Sequence, residues 1–452
     1  MKEIKLECST NLNDSPMLEN PVYEFESNYR FTSKYSRWRK VVHEASVTVL
    51  LLYDRIALIP SSCEGTRIVD ALKKLIGLES DKIIPSAQSA AVGKNGTVSD
   101  YVDKFISLLS NFDADGNFGL YGFFAYELID MKLGVCAADM PIGIFFLPEI
   151  MSVNHGPVFR YSMAGARESE PKFGEWLTSK DGIFFDLSKF AKGESGVYEH
   201  LYDFSQNDIK SRKIISINPS FTVSKSTAIS SYEIYERLKS ANAAPYNFYM
   251  SYQGCDVVGS SPAMFMRVKS SRVETSPICG TIARGKSEEE DVIKINKLLE
   301  SEKDDYELSE CIRCDIEAKK ISCEQIDVVK KKEIEKFANV FHTSSHITGI
   351  LQPGRTIGNV IEDHVWPSTI VGSPIAAAAR IIAESEVRNW YGGAFGYISI
   401  NNEIDLGTMI RCAAVYKGIA TIRVGSTITK YSRPEFDRDE LYRKASLILG
   451  VL

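Results

Sequence analysis

The stretch NFYMSYQGCDVVGSSPAMFMRVKSSRVETSP, residues 247–277, decides the fold class. Apolar and polar residues alternate along it, which is the pattern of β-strands with one buried face. The serines Ser270 and Ser271 separate two such alternations as a turn would. The pattern therefore predicts antiparallel hairpins in this region.

Helical patterns lie on the carboxyl side of these hairpins. Residues 287–320 predict a long helical region, and its SEEED opening places carboxylates in the first turn, where the helix dipole favours them. A second helix is predicted over 374–386, a hairpin with its turn at NNE over 394–408, and a closing helix from about Pro434. Antiparallel strands interleaved with long helices predict an α+β fold, with antiparallel sheets flanked by helices.

The remaining chain divides by composition. FGLYGFFAYELID, residues 118–130, predicts a strand that enters a tight turn against a core. Residues 166–212 are charged, contain Gly and Ser, and are weakly periodic. We therefore predict an N-terminal subdomain over 1–165, a linker over 166–212 and a C-terminal domain over 213–452.

Composition limits the classes of function. A chain of 452 residues with 44% hydrophobic content can bury a large core. The net charge of −6, without a basic stripe, predicts no nucleic-acid partner. The polar start and the shortness of the apolar run VTVLLLY at 47–53 predict no membrane association and a cytoplasmic location. Dinucleotide-binding and Walker motifs are missing from the sequence, so a nucleotide cofactor has no support.

Nine cysteines without framework spacing predict reduced thiols. Cys311 and Cys314 lie in a helical pattern, one turn apart, and Cys323 follows nine residues later. A zinc site would need a fourth soft ligand nearby, so we interpret these thiols as packing residues.

Carboxylates and cations are the candidate ligands. Glu307, Arg411 and the segment RPEFDRDELYRKA at 433–445 come from distant parts of the sequence. Mg²⁺ prefers oxygen ligands and usually takes one or two protein carboxylates, with substrate and water completing its shell. The combination predicts a site for a magnesium-bound dicarboxylate.

A series of collinear motifs carries a family resemblance. They are VVGSSPAMFMRV, VETSPICGTIARGKSEEED, ESEKDDYELSE, NVFHTSSHI, TIVGSPIAAAARII, WYGGAFGYI, MIRCAAVY and RVGSTI with RDELYRKA. In order and spacing they resemble the chorismate-utilising enzymes, and in particular the large subunit of anthranilate synthase. The resemblance implies the chorismate-binding fold of anthranilate synthase component I, strongest over 213–452.

The resemblance implies a magnesium cofactor. Glu307 and Glu440 match the family's Mg²⁺ ligands. Asp304 and Asp437 match two further acidic positions near the metal, each shortened by one methylene, which implies action through water.

The resemblance also implies the substrate pocket. Gly280 and Thr281 match a backbone corner over the substrate ring, and Tyr391 with Arg411 matches the pair that binds the enolpyruvyl carboxylate. The implied substrate-binding residues are Gly280, Thr281, Tyr391, Arg411, Gly425 and Lys444, and the implied catalytic residues are His342 and Thr369. Lys444 lies one helical turn after Glu440, which predicts that both side chains share a helix face.

Three departures from the family pattern bear on the reaction. Ala263 stands where relatives carry the glutamate of SPE, which is thought to protonate the leaving hydroxyl. Ile375 stands where most anthranilate synthases have the lysine of GAPK, and CIRCDIEAKK at 311–320 replaces the usual Asp-Leu-x-Arg-Asn-Asp run. Ile375 and the run 311–320 resemble the family branch of enzymes that make 2-amino-2-deoxyisochorismate.

The implied function is Mg²⁺-dependent amination of chorismate at C2 with loss of the C4 hydroxyl, giving 2-amino-2-deoxyisochorismate, or anthranilate plus pyruvate, in secondary metabolism. Glutaminase motifs are missing from the sequence, so ammonia itself or a separate glutamine amidotransferase subunit is the expected partner, in a homo- or hetero-oligomer.

Ser216 replaces the lysine of water-using relatives, which disfavours isochorismate or salicylate formation. Cys279 replaces the lysine of aminodeoxychorismate synthases, which argues against the reaction of that branch. Because Ala263 removes an acid, a catalytically silent chorismate-binding subunit is the alternative.

Overall fold

The computed structural model describes residues 4–9, 20–27, 37–53, 55–75, 84–85, 97–134, 141–154, 156, 158–164, 206–207, 209–211, 213–242, 244–337 and 340–452. Within these ranges, the side chains of 55, 84–85 and 434–439 are not described. Most of the predicted linker, 166–212, therefore lies outside the described residues.

The described helices are interspersed among runs of strands along the chain. The helices are α1 (Cys63–Leu75), α2 (Val98–Ser107), α3 (Leu128–Leu133), α4 (Ser231–Ala241), α5 (Glu288–Leu299), α6 (Glu302–Ser322), α7 (Ile357–His364), α8 (Ser368–Val371), α9 (Ile375–Ser385) and α10 (Pro434–Leu449), with a 3₁₀ turn at Leu108–Asn111. The strands are β1 (Ile4–Ser9), β2 (Tyr23–Ser27), β3 (Trp38–Leu51), β4 (Arg55–Pro60), β5 (Ile84–Pro85), β6 (Phe112–Asp113), β7 (Gly119–Phe124), β8 (Gly143–Val153), β9 (Val158–Met163), β10 (Ser216–Ile217), β11 (Ser220–Ser226), β12 (Tyr246–Tyr252), β13 (Cys255–Ser261), β14 (Met264–Lys269), β15 (Arg272–Thr275), β16 (Ile278–Ala283), β17 (Cys323–Lys336), β18 (Val340–Leu351), β19 (Gly372–Ser373), β20 (Ala394–Ser399), β21 (Ile404–Thr408), β22 (Cys412–Tyr416), β23 (Ile419–Gly425) and β24 (Ile428–Thr429).

Most strands join one long antiparallel sheet that folds back on itself. Its order is β11-β23-β22-β13-β12-β2-β3-β8-β7-β20-β21-β14-β15-β18-β17, and β16 also pairs with β18. Aromatic side chains fill the space between its two halves, because the rings of Tyr23 and Phe248 stack on Phe395 with centroids 4.8 and 4.5 Å away. The predicted α+β class with antiparallel sheets flanked by helices is confirmed.

Strands from both ends of the sequence share this sheet. β2 pairs with β12, and β7 pairs with β20. The buried Tyr23 hydroxyl donates to the carbonyl of Gly396 at 2.7 Å, which adds a side-chain link between the layers. The division into an N-terminal subdomain and a C-terminal domain remains a prediction.

The predicted hairpins over 247–277 and 394–408 and the helix from Pro434 are confirmed. The single helical region predicted over 287–320 is wrong in one respect, because it is two helices, α5 and α6. Ser301 breaks the helix since its backbone is extended and its side chain accepts the amide N–H of Asp304, which begins α6.

In the described part of the chain, no helix combines the length and the apolar composition that crossing a membrane requires.

Candidate active site

A pocket of about 760 Å³ lies where α6, α10, β16, β18 and the loop before β22 meet. It brings together ten of the twelve predicted site residues: Gly280, Thr281, Glu307, His342, Thr369, Tyr391, Arg411, Gly425, Glu440 and Lys444. Asp304 lies at its edge, since a Cβ added to Gly280 would be 3.0 Å from the Asp304 carboxyl group. Asp437 is in α10, and its side chain lies outside the described residues.

Helix α6 carries Glu307 into the pocket. Its Oε1 is buried and accepts no hydrogen bond from the described residues. Burial is the main cause that raises the pKa of Glu307 to about 8; the Glu440 and Asp304 carboxylates act in the same direction, and Lys303 and Lys444 act against it. A buried carboxylate without a donor is a group that a cation would stabilise.

Helix α10 carries the second carboxylate. Glu440 Oε1 lies 2.6 Å from Lys444 Nζ, so the predicted shared helix face is confirmed. Burial raises the pKa of Glu440, but the Lys444 ammonium, with smaller contributions from Lys303 and Ser426, outweighs it and the pKa falls to about 2. Lys444 also donates to the carbonyl of Gly425 at 2.9 Å. Glu440 is therefore ionised at neutral pH.

The donor set fits a magnesium ion. Glu307 and Glu440 supply oxygen atoms from two helices to one pocket. Among the described residues, no three His, Cys, Asp or Glu side chains converge as a complete metal cage. Mg²⁺ does not need one, because it is usually bound by one or two carboxylates together with substrate and water.

His342 is held as a neutral ring. Its Nδ1 lies 2.9 Å from the carbonyl oxygen of Gly280, which can only accept, so Nδ1 carries the proton. Nε2 lies 3.3 Å from Arg411 Nη2 and accepts from it. Burial lowers the pKa of His342 to about 3, and the Arg411 charge acts in the same direction. The imidazole is therefore a weak base.

Two glycines shape the backbone around the pocket. Gly280 has φ 68°, a left-handed conformation that glycine adopts without steric cost. A Cβ at Gly425 would lie 2.4 Å from Asn218 Oδ1 and 2.8 Å from the hydroxyl of Tyr391. A side chain at Gly425 would therefore displace the groups that face the pocket.

Arg411 lies at a strained position. Its φ is 54°, which is uncommon for a residue with a side chain and is often found at binding sites. A backbone hydrogen bond offsets the strain, because the Arg411 carbonyl accepts the N–H of Ser260 at 3.1 Å. Tyr391 lines the same wall, and burial raises the pKa of its hydroxyl to about 12, so it remains a hydrogen-bond donor.

Sequence analysis missed Asn218. Its side-chain amide donates to the carbonyl of Thr369 at 2.9 Å and to Thr427 Oγ1 at 3.1 Å. The amide thus joins the loops on two sides of the pocket. A lone asparagine in SINPSF carries no sequence pattern that distinguishes this role from a turn.

A buried ionic cluster supports these loops. Glu386 lies between Arg388 at 2.7 Å and Arg423 at 2.5 Å. Arg388 also donates to the carbonyls of Ile370, at 2.8 Å, and Asn218. The cluster therefore fixes the backbone at Ile370, next to Thr369, and at Asn218.

Glu386→Gln is expected to lower the free energy of unfolding by about 3–5 kcal/mol, because two buried guanidinium groups lose their counter-charge. Urea denaturation measures it. Glu233→Gln is the matched control, since the Glu233–Arg237 pair is about half exposed and is worth about 1 kcal/mol or less. Equal losses for both variants would contradict the structural role of Glu386.

In this antiparallel α+β fold, the pocket gathers the carboxylates of Glu307 and Glu440 with the cations of Arg411, Arg423 and Lys444. Such a pocket suits a small anionic molecule together with a divalent cation. The chain belongs to the family of chorismate binding enzymes, whose family model matches residues 178–450.

Several curated proteins are similar in sequence. Anthranilate synthase component 1 of Acetivibrio thermocellus is 32% identical over 290 residues, covering 61% of this chain and 58% of that protein. Anthranilate synthase component 1 of Saccharolobus solfataricus is 29% identical over 349 residues, covering 74% and 81%. Anthranilate synthase of Azospirillum brasilense is 31% identical over 256 residues, and the chain spans only 35% of it.

Solved structures share the fold. Anthranilate synthase component I of Streptococcus pneumoniae superimposes with a TM-score of 0.67 at 20% identity, covering 93% of this chain and 94% of that one. The menaquinone-specific isochorismate synthase of Escherichia coli gives a TM-score of 0.66 at 14% identity, covering 100% and 95%. The fold is therefore common to enzymes with different products, and the reaction has to be argued from the site.

Proposed function

We propose that the chain catalyses the Mg²⁺-dependent amination of chorismate at C2 with loss of the C4 hydroxyl, giving 2-amino-2-deoxyisochorismate. The observation that carries this proposal is the convergence of Glu307 and Glu440 with Arg411 and Lys444 in one pocket. Chorismate has two carboxylates, so one metal site and two cations match its charges. A role in secondary metabolism is part of the proposal.

Glu307 and Glu440 would hold the magnesium ion. When bound, it would supply positive charge that anchors the ring carboxylate and stabilises negative charge developing there. Asp304, and Asp437 on α10, would act on its water ligands, as the family resemblance implies. Lys444 is shared between Glu440 and the Gly425 carbonyl, which keeps its charge at the same end of the pocket.

Arg411 and Tyr391 would bind the enolpyruvyl carboxylate at the other end. A guanidinium group presents two parallel donors to a carboxylate, which gives both strength and orientation. The backbone corner at Gly280 and Thr281 would lie against the ring, since its carbonyl is fixed by His342. The substrate would thus be held by both carboxylates with its ring between them.

The nucleophile would be ammonia, from a separate glutamine amidotransferase subunit or from free ammonium. The name of the relatives, anthranilate synthase component 1, supports a separate second component. Ser216 lines a small adjoining cavity with Glu307, where water-using relatives carry a lysine. A hydroxyl is a much weaker base than a lysine amine, which supports ammonia over water.

The state of His342 supports retention of the enolpyruvyl group. Loss of pyruvate requires a base that removes the proton at C2. His342 is neutral, its pKa is lowered to about 3, and its free nitrogen already accepts from Arg411. This arrangement therefore favours 2-amino-2-deoxyisochorismate over anthranilate plus pyruvate as the product.

A second candidate function is a silent chorismate-binding subunit. Ala263 lines the pocket, where relatives carry an acidic side chain. Loss of a positioned general acid typically costs about 10²–10⁴ in rate. Such a subunit would bind chorismate with Mg²⁺ and leave it unchanged.

Incubation of the purified chain with chorismate, Mg²⁺ and a high ammonium concentration at mildly alkaline pH tests the proposal, with products identified by mass spectrometry. We expect an aminated product that retains the enolpyruvyl group and depends on Mg²⁺. Detection of anthranilate and pyruvate would show that amination occurs but with a different product from the one we propose. Detection of isochorismate would exclude amination. Bound but unconverted chorismate would establish the silent subunit.

A further inference from the structure

A second cavity adjoins the substrate pocket. It spans about 520 Å³, part of it open to solvent, between α6, α7, α8 and the β14–β16 region. Ala263, Ile278 and Thr369 line both spaces, so the two meet at these residues. A longer side chain at position 263 would project into this junction, and alanine leaves it open.

The departures from the family pattern meet at this cavity. Ala263 and Ile375 both line it. The run 311–320, which replaces the usual Asp-Leu-x-Arg-Asn-Asp, contributes Cys311, Cys314, Asp315 and Ala318 to its wall. Substitutions that are far apart in sequence thus change one connected space, next to the place where the acid is missing.

The far wall carries a buried polar cluster. Lys319 is 0% exposed, and its Nζ donates to Asp315 Oδ2 at 2.9 Å and to the hydroxyl of Thr275. Thr275 Oγ1 donates in turn to the same Asp315 oxygen at 2.7 Å. Asp315 and Thr275 face the cavity, while Lys319 lies behind them. The cluster therefore places the Lys319 ammonium group against the Asp315 carboxylate, which borders the cavity.

His364 completes the cluster as an acceptor. Its Nδ1 donates to the carbonyl of Val360 at 2.8 Å, so Nε2, 3.5 Å from Lys319 Nζ and 3.6 Å from Asp315 Oδ1, carries a lone pair. Burial lowers the pKa of His364 to about 4, with the Lys319 charge acting in the same direction. His364 therefore stays neutral, and the mobile proton belongs to Lys319 and Asp315.

The proposed reaction needs a proton at this end of the pocket. Hydroxide is a poor leaving group, and the C4–O bond breaks readily only when the oxygen leaves as water. Within the described part of the pocket, His342 donates its only proton to Gly280, and Lys444 is bound to Glu440 and Gly425. Arg411 is a cation that does not release a proton in proteins. Glu307, whose pKa is raised to about 8, would already have given up its proton to hold the magnesium ion.

We propose that Lys319 and Asp315 deliver the proton for the departing C4 hydroxyl through water in the cavity behind Ala263, in place of the missing glutamate. The proposal rests on the amination proposed above. Ammonia forms the C2–N bond, the ring electrons shift, and the C4–O bond breaks. The proton passes from Lys319 through Asp315 and water to the leaving oxygen, and the proton lost by the new amine restores the ammonium group.

The test is a double variant followed by rescue. Asp315→Leu with Lys319→Met replaces the buried ion pair by apolar side chains of similar size, a change that is often neutral for stability. We expect kcat for chorismate to fall about 10²-fold or more, with the Kd for chorismate within about twofold. Adding Ala263→Glu to this double variant returns an acid to the junction, and we expect it to restore kcat at least about tenfold.

The matched control is Glu317→Leu with Lys320→Met, an exposed ion pair on the same helix, which should leave kcat unchanged. Asp315→Asn is a second test; because it leaves the buried Lys319 ammonium without its counter-charge, its kcat is measured where circular dichroism shows the variant to be folded, and kcat should be lowered there as well. The proton relay would be overturned, with the amination unaffected, by a folded double variant that keeps full kcat. It would also be overturned if the double variant binds chorismate normally but Ala263→Glu does not restore its kcat. A wild-type chain that never converts chorismate would overturn the amination and the relay together.

Discussion

Glu440→Gln and Glu307→Gln are each expected to reduce Mg²⁺-dependent turnover of chorismate by about 10³-fold or more. A metal ion contributes several kcal/mol of charge stabilisation, and each 1.36 kcal/mol is a factor of ten in rate. Glu307 has a buried oxygen without a donor, and Glu440 is already ionised beside Lys444. Loss of either removes one of the two carboxylates that would hold the ion directly.

Initial rates over a series of Mg²⁺ concentrations measure this effect. Glu302→Gln is the matched control, because Glu302 is an exposed carboxylate in the first turn of the same helix α6. Its rate and Mg²⁺ dependence should equal those of the wild type. Full activity of Glu307→Gln or of Glu440→Gln at low Mg²⁺ would remove that residue from the metal site.

Arg411→Gln is expected to weaken chorismate binding by about 10²-fold. Charge-assisted hydrogen bonds contribute about 1.5–3 kcal/mol each, and a guanidinium group can make two to one carboxylate. Arg411→Lys should recover only part of the loss, because an ammonium group lacks the planar pair of donors. Both variants also release His342 Nε2 from its contact with Arg411.

Calorimetric titration with chorismate in the presence of Mg²⁺ gives the Kd for each Arg411 variant. Arg237→Gln, at an exposed arginine on α4, controls for the loss of one positive charge. Equal binding by Arg411→Gln and the wild type would show that the enolpyruvyl carboxylate is held elsewhere. A lysine variant that binds as tightly as arginine would contradict the two-donor geometry.

The fold was largely predictable because its pattern is local. The alternation over 247–277 and the turn at Ser270 and Ser271 specify the β14–β15 hairpin within one short window, and the structure has it. The break between α5 and α6 depends on one capping hydrogen bond at Ser301, which the apolar periodicity on either side hides. Strand order was not predictable, since the pairing of β2 with β12 joins segments over two hundred residues apart.

The site was predictable only where the family motifs reach. Glu307, Arg411 and Glu440 lie in those motifs, and the structure brings them to one pocket. Lys319 stands in a charged run, DIEAKK, which is typical of a solvated helix end, yet α6 buries it against α7. Glu386 and Arg388 likewise resemble surface charges in sequence. Burial of single ionic groups is a property of tertiary packing, so composition and periodicity do not reveal it.

Calorimetric titration of the wild-type chain with chorismate, with and without Mg²⁺, tests the central claim most directly. Glu307 and Glu440, together with Arg411 and Lys444, predict saturable binding at one site per chain. We expect this binding to be at least about tenfold tighter when Mg²⁺ is present, and we expect that difference to be lost in Glu440→Gln. Absence of binding under both conditions, or equal affinity with and without Mg²⁺, would contradict the account of a magnesium-bound dicarboxylate site.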